Sequence, residues 1–286
     1  MAGMTYGIVA GFDGSPGSGE AVCWAAREAR ARGTRLTVCL AWAPDHPDHV
    51  ALPTESAICD LARQHGKKVL ARGLPYAESV LGPGRVCSAL VGGSAAHVLC
   101  EGSRIAEMVV VGSRGHGNLP GLRLGSVSAQ VAGHGHGRIV VVRGQWRPVN
   151  EWPGPIVVGA DGSPESQAAI RLAFEEAALR DVPLVAVCAL ADAPGRFGGA
   201  AQMEEDFSHL MTLQEKEHPE VTVLRQVTVG PPRSALLAAA AEAQMLVVGS
   251  RGRGGLDGMS LGSVAQAVLH HAPCPVGVVH TAARSR

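Results

Sequence analysis

The sequence predicts an α/β protein of two tandem domains, each a doubly wound, Rossmann-like sheet of five parallel strands flanked by helices. Its 286 residues exceed the roughly 100 to 200 residues of an ordinary single core. The segment "IVAGFDGSPGSGEAVCWAAREA" from Ile8 recurs as "IVVGADGSPESQAAIRLAFEEA" from Ile156, which indicates a tandem duplication. In each copy, short apolar runs alternate with helical patterns, as expected of parallel strands joined by helices.

The first strand and helix of each copy are recognised by their turn residues. Residues 8–12 form a short apolar run, and Ser15-Pro16 then supplies a helix N-cap and a first-turn proline. Gly33 ends the first helix. Apolar residues follow at helical spacing and predict a stripe that covers a sheet: Val22, Ala25, Ala26 and Ala29 in the first copy, and Ile170, Ala173, Phe174 and Ala177 in the second.

The remaining elements follow in the same order in both copies. Continuous apolar strands, expected where helices cover both faces of a sheet, are predicted at 36–40 and 184–188. Further predictions are helices at 55–72 and 202–217, third strands near 85–90 and 221–229, fourth strands at 108–111 and 245–248, helices from Ser126 and Ser263, and final strands at 139–142 and 276–279. The proline-rich and tryptophan-rich stretch around 143–155 predicts a first domain at 1–146, a linker at 147–154 and a second domain at 155–286.

Composition excludes several classes of function. Aromatic residues make up 3% of the chain, and 25 basic residues balance 25 acidic ones, so neither base stacking nor a positive field favours nucleic-acid binding. Seven cysteines without a regular pattern fit a reducing compartment. We find no secretory leader and no run of 18 apolar residues. We therefore expect a cytoplasmic protein that binds neither nucleic acid nor a membrane.

A glycine-rich loop follows the fourth strand of each copy, as "VGSRGHGNLPGLRLGS" at 111–126 and "VGSRGRGGLDGMSLGS" at 248–263. Glycines let backbone N–H groups approach an oxyanion, and Gly-Ser at a helix start adds donors at the positive end of the helix dipole. The loop lacks the lysine of a P-loop, and its glycines are too widely split for a dinucleotide fingerprint. The alternative interpretation is that the glycines only form turns or let helices pack closely.

An aspartate follows the first strand of each copy. Ligands of open parallel sheets bind outside the carboxyl ends of the strands. If the first and fourth strands are adjacent, Asp13 faces Gly112 across that crevice, and Asp161 faces Gly249. The alternative for each aspartate is a turn residue that bonds its own backbone.

These motifs resemble the universal stress protein family, whose G-x-x-G-x9-G-[ST] signature is matched in both copies. The matching residues are Gly112, Gly115, Gly125 and Ser126, and Gly249, Gly252, Gly262 and Ser263. The resemblance covers nearly the whole chain. It implies an adenine nucleotide alpha hydrolase-like sheet in each domain, ATP binding in many members that carry the glycines, and assembly through the final strand.

The resemblance also implies a role for each site residue. Asp13 and Asp161 would contact the ribose or a metal held by the phosphates, and Ala41 and Ala189 would line the adenine. The phosphates would be held by Gly112, Gly115, Gly125, Ser126 and Val127 in the first copy and by Gly249, Gly252, Gly262, Ser263 and Val264 in the second, with charge added by Arg114 and Arg251. The expected ligand is ATP, with Mg²⁺.

The first copy departs from the family near its end. The second copy reads "HHAPCPVGVVH" before and through its last strand, whereas the first reads "GHGHGRIVVVR" and lacks the prolines. This departure bears on the edge that would be presented for a homodimer. The nearby side chains His134, His136, His270, His271 and Cys274 are of metal-ligating types, but no second motif completes a site.

We therefore expect a binding module: a cytoplasmic tandem stress-response protein whose ATP occupancy signals to an unknown protein partner, assembled as a homodimer through the final strands. An enzyme, either a slow ATPase or a nucleotidyl-transfer protein, is the first alternative, and a ligand-free interaction scaffold is the second. No catalytic constellation can be assembled from sequence position, and Asp13 is the only acid expected beside the first loop. We assign no catalytic residue.

Overall fold

The computed structural model describes residues 6–42, 53–116, 123–143, 154–190, 200–254 and 260–281. Contacts divide the chain into two compact units, Met1–Val131 and Ala132–Arg286. The predicted linker at 147–154 lies outside the described residues except for its last position. Across the described part of the chain, none of the helices is both long and apolar enough to pass through a bilayer.

Unit 1 contains a parallel sheet with strand order β3-β2-β1-β4. Its elements are β1 (Tyr6–Gly11), α1 (Pro16–Ala31), β2 (Leu36–Trp42), α2 (Pro53–Leu81), β3 (Val86–Gly92), α3 (Ala95–Gly102) and β4 (Ala106–Gly112), and α4 (Ser126–His134) begins in this unit. The first and fourth strands are therefore adjacent, as the crevice predicted between Asp13 and Gly112 requires.

Unit 2 contains a sheet with strand order β5-β10-β9-β6-β7-β8. Its elements are β5 (Arg138–Val142), β6 (Ile156–Ala160), α5 (Pro164–Arg180), β7 (Leu184–Leu190), α6 (Ala200–Glu217), β8 (Val223–Val229), α7 (Pro232–Ala239), β9 (Met245–Gly249), α8 (Ser263–His271) and β10 (Val276–Val279). The pairs from β10 to β8 are parallel. The predicted α/β fold, with mostly parallel sheets and flanking helices, is confirmed.

The two final strands pair with each other. β5 runs antiparallel to β10, with Val141 opposite Val276 and Ile139 opposite Val278. The sequence pattern assigns β5 to the first copy, but its contacts place it in unit 2. β10 lies between β5 and β9, so it offers no open edge for the homodimer expected through the final strands. Pairing within one chain covers an apolar edge that would otherwise favour aggregation.

The predicted apolar patterns correspond to buried faces. The central strands are solvent-excluded, as shown by Val109, Val247 and Ile156, each 0% exposed. All eight residues of the two predicted helical stripes are buried as well. Helices therefore cover these strands, which explains why their sequences are continuously apolar instead of alternating.

α2 is longer than the helix predicted at 55–72, because it continues through Pro75 to Leu81. The sequence suggests an end at Gly73 and Pro75, since both residues disfavour a helix interior. In the structure, a Cβ on Gly73 would lie 2.7 Å from the ring of Phe12, so the helix passes very close to that side chain. Tertiary packing thus overrides the local preference.

Candidate functional site

Asp13 connects the end of β1 to the loop after β4. Its Oδ1 accepts a hydrogen bond from the backbone N–H of Ser15 at 2.9 Å, and its Oδ2 accepts one from the backbone N–H of His116 at 3.2 Å. The first bond closes a local turn. The second exists because β1 and β4 are neighbouring parallel strands. Asp13 is therefore both a turn residue and the clamp that holds the glycine loop.

Hydrogen bonding keeps the carboxyl group of Asp13 ionised. Burial alone would raise its pKa, but hydrogen bonds from Ser15, Ser18 and His116 outweigh burial and lower the pKa below its ordinary value of 3.8. A carboxylate held in this way is a fixed negative charge and a weak base.

Asp161 forms the same arrangement in unit 2. Its Oδ1 accepts from the backbone N–H of Ser163 at 2.9 Å, and its Oδ2 accepts from the backbone N–H of Arg253 at 3.1 Å. Ser163 is also the N-cap of α5, since its side chain accepts from the N–H of Ser166. The duplicated sequence thus produces a duplicated clamp.

The first glycine of each loop is required by close backbone packing. A Cβ on Gly112 would lie 2.5 Å from the carbonyl oxygen of Gly17, at the start of α1. A Cβ on Gly249 would lie 2.8 Å from the backbone of Glu165, at the start of α5. These glycines therefore let the fourth strand of each repeat end against the first helix.

The second glycine of each loop is required by the aspartate. A Cβ on Gly115 would overlap Oδ2 of Asp13, and a Cβ on Gly252 would overlap Oδ2 of Asp161. Both glycines are thus in direct contact with the protein itself. This accounts for their position without a ligand, and it supports the close-packing alternative for this part of the signature.

The third glycine of each loop forms a backbone hydrogen bond with a residue at the start of the same loop. The N–H of Gly125 donates to the carbonyl of Ser113 at 2.8 Å, and the N–H of Gly262 donates to the carbonyl of Ser250 at the same distance. These two amides therefore bond protein. Their bonds bring the start of α4 and of α8 next to the end of the preceding strand.

The first turns of α4 and α8 provide uncapped backbone donors. Gly262 is the N-cap of α8 and makes no side-chain cap bond, and Gly125 before α4 has no side chain to offer. The N–H groups of a first turn have no partner within their helix. Ser126 and Ser263, which open the two helices, are exposed. The site therefore presents amide donors and a helix dipole to solvent, which suits an anion.

The two arginines expected to add charge have protein neighbours. Arg251 donates to Oε1 of Glu165 at 3.2 Å, and the hydroxyl of Thr281 donates to the same oxygen at 3.2 Å. Arg114 lies near Glu20, whose pKa is raised by burial despite the opposing effect of that arginine. In unit 2, then, the charge of Arg251 is already balanced by a carboxylate.

Ala41 and Ala189 lie at the carboxyl ends of β2 and β7. Strand register pairs Gly11 with Cys39 and Ala160 with Cys188, so each alanine is level with the aspartate of its own repeat. Both alanines are half-buried. The segments that follow them, and the middle of each glycine loop, lie outside the described residues.

Sequence reasoning missed Arg253 and its partner on α6. The Arg253 guanidinium lies against Gly162 and donates to Oδ2 of Asp206 at 3.0 Å. Hydrogen bonds from Gln202 and then Arg253 lower the pKa of Asp206. The available signal was the difference between the copies after the second glycine, where the first copy has His116.

The described residues contain no group of three or more histidine, cysteine, aspartate or glutamate side chains placed to hold a metal ion. His270 and His271 lie with ring centroids 6.3 Å apart. Burial raises the pKa of the Cys274 thiol to about 12, which disfavours the thiolate that binds metals.

Comparison with known proteins gives a consistent result. The model of the universal stress protein family matches residues 4–143 and 154–280. Universal stress protein Rv2623 of Mycobacterium tuberculosis is 35% identical over 283 residues, which cover 95% of each chain. A crystal structure of a universal stress protein from Archaeoglobus fulgidus, 19% identical, covers 96% of this chain and 98% of its own with a TM-score of 0.73, which shows a shared fold. A universal stress protein in complex with cAMP, 27% identical, covers 48% of this chain and 96% of its own with a TM-score of 0.38.

Proposed function

The chain belongs to the universal stress protein family, and from that premise we propose that each repeat binds an adenine nucleotide, with ATP as the principal ligand. Nucleotide occupancy would then regulate a protein partner during a stress response. The observation that carries this proposal is the pair of uncapped helix starts at Ser126 and Ser263, each set beside a glycine loop that an aspartate holds in place.

The proposed phosphate contacts use the hydrogen-bond donors of the loop and helix start that are not already engaged in the loop's own backbone bonds. Because Gly125 and Gly262 already bond protein, the phosphates would be held by first-turn backbone amides and by the two serine hydroxyls. The residues concerned are Ser126, Val127, Ser263 and Val264. Each hydrogen bond to a charged group contributes about 1.5 to 3 kcal/mol. Several such bonds could together offset an association cost of about 4 to 15 kcal/mol and give micromolar affinity.

The base and ribose would lie at the carboxyl ends of the first two strands of each repeat. Ala41 and Ala189 would line the adenine, and the aspartates level with them would contact the ribose. Mg²⁺ would be held by the ATP phosphates and would bind together with them, because both carboxylate oxygens of Asp13 already accept backbone hydrogen bonds. A bound Mg²⁺ would neutralise part of the charge of the triphosphate.

We propose binding without efficient hydrolysis. A general base needs a pKa near the working pH, and hydrogen bonding lowers the pKa of Asp13 instead. Phosphoryl transfer also needs charge stabilisation, whereas Arg251 is paired with Glu165. Phosphate release from saturating ATP should therefore stay close to the rate without protein, and a rate that falls in Asp13→Asn would support the slow-ATPase alternative.

Equilibrium binding tests the proposal directly. Titration of the purified chain with ATP and Mg²⁺ in a calorimeter should give two sites per chain with dissociation constants in the micromolar range. The same titration with GTP is the control for base selectivity. No heat and no binding at millimolar ATP would reject the proposed function.

A ligand-independent scaffold is the second candidate, because the first two glycines of each loop are explained by protein contacts alone. Under this candidate the melting temperature would not change with saturating ATP and Mg²⁺. A bound ligand at 100 times its dissociation constant should instead stabilise its unit by about 2.7 kcal/mol.

We further propose a cytoplasmic location, on the basis of the seven cysteines without a regular pattern, which fit a reducing compartment. A protein partner and any second copy would dock away from β10, since that strand is already paired on both edges. Light scattering of the purified chain determines whether it forms the expected homodimer, for which a surface other than β10 would be needed.

A further inference from the structure

The two candidate sites differ at the residue after the second glycine of the loop. His116 occupies this position in unit 1 and Arg253 in unit 2. Their backbone N–H groups do the same work, because each donates to the aspartate of its own repeat. The difference between the sites therefore lies in the side chains.

In unit 2, a cation lies across the end of β6. Gly162 has a positive φ of 79° and no Cβ, and a Cβ there would overlap the guanidinium of Arg253. From this place the guanidinium reaches Asp206 on α6 at 3.0 Å. The two side chains are 45% and 39% exposed, so the pair borders solvent.

In unit 1, a valine and a histidine side chain occupy the corresponding space. A Cβ on Gly14 would lie 3.0 Å from a methyl group of Val69 on α2 and 3.6 Å from Nε2 of His116. Of the ion pairs formed by the described residues in this unit, none involves His116. The first site therefore has no arginine at this position and, among the residues that the structure describes, no carboxylate paired with the histidine that replaces it.

Of the two arginines in the second loop, Arg253 is the more easily released. Arg251 is paired with Glu165, which is only 12% exposed and also accepts from Thr281. The partner of Arg253 is an exposed carboxylate, and exposed pairs are weak because water and salt screen them. A phosphate offers the planar guanidinium a bidentate partner of higher charge.

We infer that Arg253 is a phosphate-binding cation of the second site, and that Asp206 competes with the nucleotide phosphates for it. This inference rests on the proposed function. It makes the two sites unequal: the first binds without such competition, and the second couples nucleotide binding to release of α6 from the loop. Arg253 lies outside the family signature, and its contact with phosphate would make the affinity of the second site depend on how many phosphates the nucleotide carries.

The test uses the full chain with Gly115→Ala, which disables the first site, so that binding reports the second site alone. Asp206→Asn should tighten ATP and inorganic tripolyphosphate by about threefold, the effect expected for loss of an exposed ion pair, and leave adenosine unchanged. Arg253→Gln should weaken ATP by threefold or more. The double variant should bind as Arg253→Gln does, because Asp206 acts only through the arginine.

The matched control is Glu205→Gln, which removes a neighbouring exposed charge of α6. It should leave the affinity for ATP unchanged at 150 mM salt. Unaltered ATP affinity in Asp206→Asn, an equal effect in Glu205→Gln, or tighter binding in Arg253→Gln would each overturn the inference while leaving the proposed function standing. Absence of ATP binding by both the parent and the unmodified chain would refute the proposed function itself.

Discussion

At the scale of single residues, the aspartate and the second glycine of each repeat form one structural pair. Asp13 bonds a backbone amide 103 positions away, and the loop can approach it only because Gly115 has no side chain. The same is true of Asp161 and Gly252. The residues that position the loop are thus separate from the donors at the helix starts.

Alanine at the second glycine should disable one site at a time. In Gly115→Ala or Gly252→Ala, the added methyl group displaces the aspartate and shifts the loop, so we expect at least tenfold weaker ATP binding at that site. Calorimetry should report one remaining site per chain. Gly254→Ala is the control, because a Cβ there meets nothing within 4 Å. Two unchanged sites in both glycine variants would contradict this role.

Acid should weaken the clamp formed by Asp13. Because the folded pKa lies below the ordinary 3.8, its stabilising contribution is complete above about pH 4 and is lost as the pH falls through the lower folded value. Asp13→Asn should reduce the free energy of unfolding by about 1 kcal/mol at pH 7, through loss of hydrogen bonds to a charged acceptor.

Urea unfolding between pH 7 and pH 3 measures this effect. The difference in free energy of unfolding between the unmodified chain and Asp13→Asn should become smaller as the pH falls below about 4. The control is Asp60→Asn at an exposed position, which should unfold with nearly the same free energy as the unmodified chain at every pH between 7 and 3. A difference that grows in acid would contradict the predicted loss of the stabilising contribution of Asp13 at low pH.

At the scale of elements, the first helix of each repeat carries a buried carboxylate near its end. Glu28 is 2% exposed and Glu176 is 0% exposed, and each forms an ion pair with the arginine four residues later. Arg32, the C-cap residue of α1, also bonds Glu107 at 3.1 Å, whereas the second repeat has Gln244 at the position that matches Glu107. These pairs lie on helices that cover the sheets, so their energetics concern stability more than binding.

Breaking the buried pair of α5 should be costly. Glu176→Gln removes a fully buried carboxylate from its ion pair with the largely buried Arg180, so we expect a loss of about 3 kcal/mol in the free energy of unfolding of unit 2. Glu101→Gln, in a pair whose members are each 53% exposed, is the control and should change stability by less than about 0.5 kcal/mol. Urea denaturation compares the two, and equal effects would contradict the assignment.

At the scale of the whole molecule, each compact unit contains an aspartate clamp of its own. Hydrogen exchange followed by mass spectrometry should show that saturating ATP slows exchange at 112–116 and 123–130 and also at 249–254 and 260–266. Gly252→Ala should abolish the ATP-dependent slowing of exchange in the two segments of unit 2 and leave it unchanged in the two segments of unit 1. Protection confined to one unit in the unmodified chain would show that only one site binds.

Much of the architecture follows from the sequence because its signals are local and periodic. The duplication, the alternation of strands and helices, and the starts of α4 and α8 at Ser126 and Ser263 are all encoded in short windows. The facing of Asp13 and the glycine loop also follows from the rule that ligand sites lie at the carboxyl ends of strands. The extension of α2 through Pro75 does not, since it depends on a side chain far away in the chain.

The amino-acid pattern alone predicts two copies of one α/β repeat, an aspartate and a glycine loop in each, and the family to which they point. The folded chain was needed to show that Asp13 excludes a side chain at Gly115, that β5 pairs with β10, and that Arg253 contacts Asp206. The difference arises because periodicity specifies which face of an element is buried. Which particular groups then meet is fixed by packing between segments tens of residues apart, and no local pattern records it.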